Sequence, residues 1–216
     1  MPRNVKQRVK ELSNVGKLVH LAARMDSTDE NRIRKSLVKA RRRAYEDELT
    51  IQAGRLGCSN RTGSLVAGHA LSAMNKESKA DAKSIVNTYN WDLAGPISGI
   101  RRDVPRANRH TYAARLRSWE AERNPARAAM IGDYADGQAR SRAQKDFVKN
   151  NGLGGYAMLV PGVAAEAVCA GWIGRGRVPL REAMANPPPY HPRCPHLWDV
   201  FSEQLPKGEC SDIWVG

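Results

Sequence analysis

The chain has 216 residues, 41% hydrophobic and 26% charged, with a formal net charge of +13. With a mean hydropathy of −0.57 and only two Phe, this composition predicts a globular, mostly helical protein whose core depends on Ala, Leu and Val. No run approaches the roughly eighteen apolar residues of a membrane span, and the charged start MPRNVKQRVKELSNVGK argues against a secretory signal peptide. We therefore expect a soluble protein made in the cytoplasm, whose four cysteines are too few and scattered for the disulfide framework of a small secreted domain.

Positive charge is concentrated in residues 1–160. They contain 30 of the 35 Lys and Arg side chains and 16 of the 22 Asp and Glu side chains, whereas the last 56 residues contain five and six. A basic body of this kind predicts a polyanionic neighbour, because lysine and arginine release counterions when they bind phosphates. A basic face that meets only solvent and a contact with an acidic protein are the alternative explanations.

A helical hairpin is predicted in the first 57 residues. Apolar residues recur at steps of three and four from Asn4 to about Arg24, which is the pattern of an amphipathic helix. A second helix follows, where Ser27 and Glu30 have the spacing of a capping box. The two helices are expected to pack through Val5, Val9, Leu12, Ile33 and Leu37.

Three consecutive arginines in the second helix, Arg41, Arg42 and Arg43, are candidates for contact with nucleic acid or a partner protein. They could bind phosphates. They could also form a solvated face with partners four residues on, such as Glu46 for Arg42, or an interface with a neighbouring chain. Arg101 and Arg102 are predicted to belong to the same kind of contact surface.

The middle of the chain, residues 58–125, is predicted to be a connecting region of helix and loop. The stretch between Gly54 and Gly68 marks a break, and an Ala-rich helix is expected from about Ala67 to Asn87. The glycines and prolines of WDLAGPISGIRRDVPRANRH then predict a loop. No P-loop or dinucleotide fingerprint is present in the sequence.

Helical periodicity resumes in the last part of this region, where Tyr112 and Leu116 share one face. Pro125 suits the first turn of a further helix and Gly152 the end of that helix. The character of the sequence then changes. The short apolar run GYAMLVPG and the Gly-rich run GWIGRGRVPL predict short strands within residues 154–182.

Four side chains near the end of the chain have the chemistry of a metal site: Cys169, His191, Cys194 and His196. Cysteine and histidine are zinc ligands, and four of them complete a tetrahedron. The last three fall within the segment PPPYHPRCPH, which proline makes stiff and extended. One structural zinc is therefore one interpretation, and a rigid strap with a buried thiol and locally hydrogen-bonded histidines is the other.

A catalytic interpretation of these residues is the least favoured. The sequence contains neither the His-x-Glu with Pro-Cys-x-x-Cys of zinc deaminases nor the His-Glu-x-x-His of zincins. A nucleophilic Cys–His pair is compatible with the residue types alone, but no third orienting group stands out in the sequence.

The order of these motifs resembles the C-terminal signature of the Mu-F-like phage head morphogenesis, or minor capsid, proteins. That signature has a cysteine, a turn with glycine and a hydrophobic strand, and then a Pro-rich segment ending in His-Pro-x-Cys-x-Cys or His-Pro-x-Cys-x-His, all preceded by a long polar helix. The resemblance covers about residues 126–200. The matching residues are Cys169, Gly174, Val178, Pro188, His191, Pro192, Cys194 and His196.

The resemblance implies a structural protein of a tailed-phage virion, without enzymatic activity, at the portal vertex in the head or neck. It implies contact with portal protein and with packaged double-stranded DNA, without sequence specificity. We expect a homo-oligomeric ring or a ring-bound copy, because a basic hairpin has too little core to stand alone. The alternatives are a non-specific nucleic-acid-binding protein with a zinc-stabilised C-terminal module and, less favoured, a zinc or thiol hydrolase.

The predicted fold class is α+β and mostly α-helical, with the helices followed by a small β-containing module. Three consecutive segments are expected: the basic helical hairpin of residues 1–57, the connecting region of residues 58–125, and the Mu-F-like module of residues 126–216.

Overall fold

The structure is a computed structural model that describes residues 24–58, 68–104, 107–160, 166–191, 194–202, 210 and 213–216, without the side chain of Asn124. The described helices are α1 Ser27–Arg55, α2 Gly68–Asp92, α3 Ala94–Asp103, α4 Arg109–Asn150, α5 Ala167–Gly174 and α6 Leu180–Ala185. The described strands are β1 Gly155–Leu159, β2 Val178–Pro179 and β3 Trp198–Ser202. The fold is therefore α+β and mostly helical, as predicted, and none of the described helices is long and apolar enough to cross a bilayer.

The chain divides into two compact units, each built from two separate stretches. Unit 1 consists of residues 1–36 and 77–128, and unit 2 of residues 37–76 and 129–216. The predicted division was into three consecutive segments. The helices α1, α2 and α4 each contribute residues to both units, so the division does not follow the order of the sequence.

Unit 1 contains a small apolar core that includes α3, a helix where the sequence predicted a loop. The buried members of this core are Tyr89, Leu93, Ile97, Ile100, Tyr112 and Leu116. Pro96 is the third residue of α3, within the first turn, where a missing N–H removes no intrahelical hydrogen bond. The loop prediction is wrong because the burial of Ile97 and Ile100 outweighs the low helix propensity of the nearby glycines.

The start of α1 is capped one residue earlier than predicted. The N–H groups of Thr28 and Asp29 donate to Oδ1 of Asp26 at 2.8 and 3.1 Å, and the N–H of Asp26 donates to Oδ2 of Asp29 at 3.1 Å. This is the reciprocal pattern of a capping box, formed by Asp26 and Asp29 instead of Ser27 and Glu30, because a carboxylate is a strong acceptor for the free N–H groups of a first turn.

The predicted packing of the N-terminal hairpin falls mostly outside the described residues. Val5, Val9 and Leu12, which belong to its first helix, are not among them. In the second helix Leu37 is buried and Ile33 is half-buried.

Unit 2 contains two apolar clusters. The first packs α1 against α4, α2 and the end of the chain, and its largest buried members are Tyr45, Leu49, Met74 and Phe147. A disulfide between Cys58 and Cys210, with Cα atoms 5.5 Å apart, lies at this cluster. This pair was not predicted from the sequence, because the two cysteines are 152 residues apart and connectivity cannot be derived from spacing alone.

The second cluster of unit 2 lies under a three-stranded antiparallel sheet of order β2-β1-β3. β1 pairs along its whole length with β3, from Gly155 opposite Ser202 to Leu159 opposite Trp198. β1 pairs with β2 only at Tyr156 and Ala157. The core of this cluster is formed by Val148, Ala157, Leu159, Val178, Leu180, Ala183, Met184 and Trp198.

The run GWIGRGRVPL, predicted to be extended, is partly helical. Its first residues belong to α5, which continues to Gly174, and only Val178 and Pro179 are strand. α5 packs its half-buried Trp172 and Ile173 against the second cluster. Packing of large apolar side chains thus overrides the low helix propensity of glycine here.

Helix α4 passes through Pro125, where the sequence predicted a helix start. A proline inside a helix removes one main-chain hydrogen bond, but apolar residues are buried on both sides of it, such as Leu116 and Ala135. The predicted helix end is confirmed. Gly152 has φ +60°, and the N–H groups of Leu153 and Gly152 donate to the carbonyls of Val148 and Lys149 at 3.0 and 3.3 Å, which is the Schellman cap.

Candidate metal centre

The four predicted ligands lie together in unit 2. Cys169 is in α5, and His191, Cys194 and His196 are in the segment that leads from α6 to β3. One potential ligand atom from each residue lies within 4.8 Å of all the others. This Cys/His cluster has the residues and the compactness to hold a metal ion.

The measured separations are close to the edges of a zinc tetrahedron. Zn–S and Zn–N bonds of about 2.3 and 2.05 Å place two sulfur ligands about 3.8 Å apart and a sulfur and a nitrogen about 3.6 Å apart. In the structure Sγ of Cys169 lies 3.8 Å from Sγ of Cys194 and 3.2 Å from Nε2 of His191. Sγ of Cys194 lies 3.4 Å from Nδ1 of His196.

A tight turn brings three ligands out of one short segment. The N–H of Cys194 donates to the carbonyl of His191 at 3.1 Å, which closes a four-residue turn. His196 follows only two residues later. The close Cys-x-His spacing therefore fits one site, because the turn lets a segment of six residues surround one point.

The segment is fixed at its start by hydrogen bonds to the end of α6. The carbonyl of Asn186 accepts from Oη of Tyr190 at 2.8 Å and from Nε1 of Trp198 at 3.1 Å. Pro188, between them, is buried. The strap predicted from PPPYHPRCPH is thus attached on both sides of the ligands, at Asn186 and at β3.

Aromatic rings connect α5 to the strap beside the cluster. Trp172 stacks on Tyr190, with ring centroids 6.3 Å apart, and meets the edge of Trp198 at 5.6 Å. The guanidinium of Arg175 covers the Trp172 ring at 4.6 Å. These contacts hold α5, and with it Cys169, against the strap.

Burial favours the neutral forms of Cys169 and His196. It raises the pKa of the Cys169 thiol to about 11, with further contributions from the hydrogen bond and charge of Cys194. It also lowers the pKa of His196, and the nearby His191 adds to this effect. Neutral imidazole is the form of histidine that coordinates a metal, whereas a thiol must lose its proton to do so.

Two features beyond the ligands concern their second nitrogens. Nδ1 of His191 faces Oε1 of Glu166 at 3.8 Å, so a carboxylate lies on the side of the ring opposite the sulfurs, as is common for metal-binding histidines. Nε2 of His196 is buried and has no hydrogen-bond partner among the described residues. Glu166 was not predicted as part of the site, and its position three residues before Cys169 was the only sign of it in the sequence.

A buried polar network fixes the strand that follows the ligands. Nε2 of Gln144 donates to the carbonyl of Trp198 and to Oε1 of Glu48, both at 2.9 Å. Glu48 also accepts from Gln52 at 2.6 Å and faces Arg140 at 3.4 Å. The sequence analysis missed this network as well, because helical spacing shows which residues share a face but not which faces meet.

The predicted arginine surface is only partly a surface. Arg41 is fully buried and donates to Oε1 of Gln138 at 2.9 Å, so its predicted role in contacting phosphates is wrong for the folded chain. Arg42 and Arg43 are exposed and face Glu46 and Asp47 at 2.9 and 3.8 Å. These are i,i+4 ion pairs of the predicted kind, and they neutralise part of the positive charge of α1.

Arg101 and Arg102 are exposed in the last turn of α3. Nε of Arg102 faces Oδ1 of Asp103 at 3.3 Å. These two arginines belong to unit 1, whereas the Cys/His cluster belongs to unit 2.

Comparisons with models of protein families, with curated proteins and with solved structures find no match to this chain. The geometry of the cluster and the sequence pattern around it are therefore the grounds for a functional proposal.

Proposed function

We propose that this protein is a structural component of a tailed-phage virion at the portal vertex, and that one structural zinc ion closes its C-terminal unit. The observation that carries the proposal is the convergence of Cys169, His191, Cys194 and His196 at one point. These four are among the eight residues on which the resemblance to the Mu-F-like head proteins rests.

The donor set favours zinc among the common metal ions. Two thiolates and two imidazoles are a recurrent ligand set of structural zinc sites, whereas magnesium and calcium prefer oxygen ligands. The sulfur–sulfur separation of 3.8 Å equals the tetrahedral value of about 3.8 Å. The remaining pairs lie within 4.8 Å, so binding requires a contraction of at most about 1.5 Å.

Burial and ligand count support a structural role for the ion over a catalytic one. Four protein ligands fill the tetrahedron, whereas a catalytic zinc keeps one position for water or substrate. Cys169, Cys194 and His196 are 0%, 6% and 2% exposed. A zinc ion held by these side chains would tie α5 to the strap and to β3, and would have little access to a substrate.

The virion assignment is supported by the order of the elements around the cluster. A long helix, α4, precedes the first ligand, and a short strand, β2, lies between Cys169 and the Pro-rich segment that contains the other three. This is the arrangement that the resemblance to the Mu-F-like proteins implies. The proposed partners are the portal protein and neighbouring copies in a ring, and the proposed location is the head or neck of a particle assembled in the host cytoplasm.

Contact with double-stranded DNA is a further part of the proposal, supported by the net charge of +13. Arg42, Arg43, Arg101 and Arg102 are exposed and would meet phosphates, which carry no direct sequence information. The affinity should therefore decrease steeply with salt and be independent of sequence. Steep salt dependence without any association with portal would favour the alternative, a nucleic-acid-binding protein that acts outside a particle.

Metal analysis tests the zinc. Purified protein should contain about one zinc per chain, and Cys194→Ser should lose it, because three ligands bind zinc far more weakly than four. Cys58→Ser, which removes a cysteine outside the cluster, is the matched control and should retain the metal. Folded wild-type protein that takes up no zinc would leave a thiol and imidazole cluster and remove this part of the proposal.

Copurification with the portal protein of the same phage tests the virion role. Co-expressed protein should elute with the portal ring, and imaging of assembled particles should show additional density at the portal vertex. A strictly monomeric protein by light scattering, with no retention on immobilised portal, would contradict the proposal.

A further inference from the structure

A groove lies beside the sheet of unit 2, on the side away from β3. It has a volume of about 550 Å³ and is lined by the last turns of α4, the Gly152–Gly155 loop, Pro179 and α6. This volume is within the roughly 300–1,000 Å³ typical of ligand pockets.

The groove exists because the ladder between β1 and β2 is short. β2 pairs with β1 only at Tyr156 and Ala157, and the chain turns into α6 directly after Pro179. Gly154 has no side chain, and an added Cβ there would meet nothing within 4 Å.

The floor of the groove is apolar and its rim is cationic. Val148, Leu180 and Met184 line it with buried side chains. Lys145, Lys149 and Arg181 also line it and are exposed. None of these three cations pairs with a carboxylate within the described part of the chain, and no acidic side chain is among the described lining residues.

We infer that this groove binds a short peptide segment of a partner protein in which apolar side chains alternate with acidic ones. The apolar side chains would cover the floor, and the carboxylates would pair with Lys145, Lys149 and Arg181. Burial of apolar peptide side chains on the floor lowers the free energy of binding. The cations on the rim favour a partner of negative charge. The N-terminal segment of this chain is a poor occupant, since residues 1–23 contain five Lys and Arg and one Glu.

A labelled hexapeptide that alternates leucine and glutamate, blocked at both ends, is a direct probe. Fluorescence anisotropy at low salt should show saturable binding to the full chain. A matched peptide with serine in place of leucine should bind at least tenfold more weakly, and a peptide with lysine in place of glutamate should not bind. Absence of saturable binding by the leucine–glutamate peptide, or equal binding of the serine peptide, would overturn the inference.

Two sets of variants place the peptide in the groove. Gly154→Trp should fill the groove and abolish binding, whereas Gly54→Trp, at an exposed helical glycine that also has open space, should bind like the wild type. The triple variant K145Q/K149Q/R181Q should weaken binding at least tenfold. Its control K76Q/K79Q/K83Q removes three exposed lysines from α2 and the same net charge, and should change binding less than twofold.

The variants separate this site from less specific explanations. Equal weakening by the two triple variants would show that overall charge attracts the peptide, and would overturn the inference. Binding retained by Gly154→Trp would do the same. Displacement of the peptide by laurate at stoichiometric concentration would identify a fatty-acid site and overturn the choice of a peptide.

This inference does not depend on the virion role. The peptide can bind in the groove whether or not the chain copurifies with portal, and portal retention that survives both groove variants would place the portal contact elsewhere. Circular dichroism and thermal unfolding of each variant must match the wild type, so that a loss of binding reports on the groove and not on folding.

Discussion

The two units of this protein are stabilised in different ways. In the described residues of unit 1, helices pack around a single apolar cluster. Met25, which precedes the cap of α1, is held by two hydrogen bonds of 2.9 and 3.0 Å with the side chain of Asn90. Unit 2 contains the disulfide, the Cys/His cluster and the buried network around Glu48. The difference is that unit 2, which contains the short strands and helices, adds a covalent bond and a buried polar network to its apolar clusters.

The physical reason for this difference is the length of the secondary-structure elements in unit 2. The strands of unit 2 have five, two and five residues, and α5 and α6 have eight and six. Elements this short bury little apolar area each, and small cores are commonly supplemented by disulfides or metals. The described part of unit 1 consists of helices, whose own hydrogen bonds and apolar stripes support one another, whereas unit 2 adds these short elements to its parts of α1, α2 and α4.

Removal of the proposed zinc ion is expected to have the largest effect, and this effect should be confined to unit 2. Structural zinc contributes roughly 10–16 kcal/mol of apparent binding free energy in small zinc modules. A chelator should therefore unfold the region from α5 to β3 while α3 stays protected. Hydrogen exchange measured peptide by peptide would show this. Equal loss of protection in α3 would mean that the two units do not differ as described.

Loss of the disulfide should have the next largest effect. Closing a loop between cysteines 152 residues apart stabilises a fold by up to about 5 kcal/mol through the entropy of the unfolded chain. Cys58→Ser should lower the urea midpoint to that of the reduced wild type, and Cys210→Ser should match it. A further decrease when either variant is reduced would contradict this assignment of the covalent bond.

A cavity in the core of unit 1 should have a smaller effect. Ile97 is fully buried, and Ile97→Ala should cost about 2–5 kcal/mol. Ile97→Val should cost about 0.5–1.5 kcal/mol, and Ser98→Ala, at an exposed neighbour, should be nearly neutral. Hydrogen exchange should place the loss in unit 1, and the metal content of the protein should be unchanged. A decrease in metal content would show coupling between the units.

The cap of α1 should have the smallest effect, and this effect should depend on pH. Hydrogen bonds from Asp29 and Thr28 lower the pKa of Asp26 below its usual 3.8. The ionised form is therefore favoured in the folded state, and its stabilisation is present above the unfolded pKa and lost as pH falls through the lower folded value. Asp26→Ala should lower the melting temperature slightly at neutral pH. The difference in melting temperature between wild type and Asp26→Asn measures the contribution of the charge. This difference should disappear in acid, where Asp26 is protonated in both the folded and the unfolded state.

The candidate site was largely accessible from the sequence. The four ligands were named from residue type and spacing, because cysteine and histidine have few common reasons to recur within so short a segment. Residue types did not decide between a metal centre and a plain strap, since both need the same side chains. The distances of the folded chain, such as 3.8 Å between the sulfurs, are what favour the metal.

The sequence by itself determined α1, α2, the helical character of the residues on both sides of Pro125, the end of α4 at Gly152 and the strand after it, because apolar periodicity and a glycine with positive φ are local properties. Only the tertiary structure decided that α3 is a helix, that Arg41 is buried, that Cys58 pairs with Cys210, and that β3 completes the sheet. Each of these depends on a contact with residues distant in the chain. The free energy of such contacts can exceed a local propensity of about 1 kcal/mol per residue, and it leaves no mark in the spacing of the sequence.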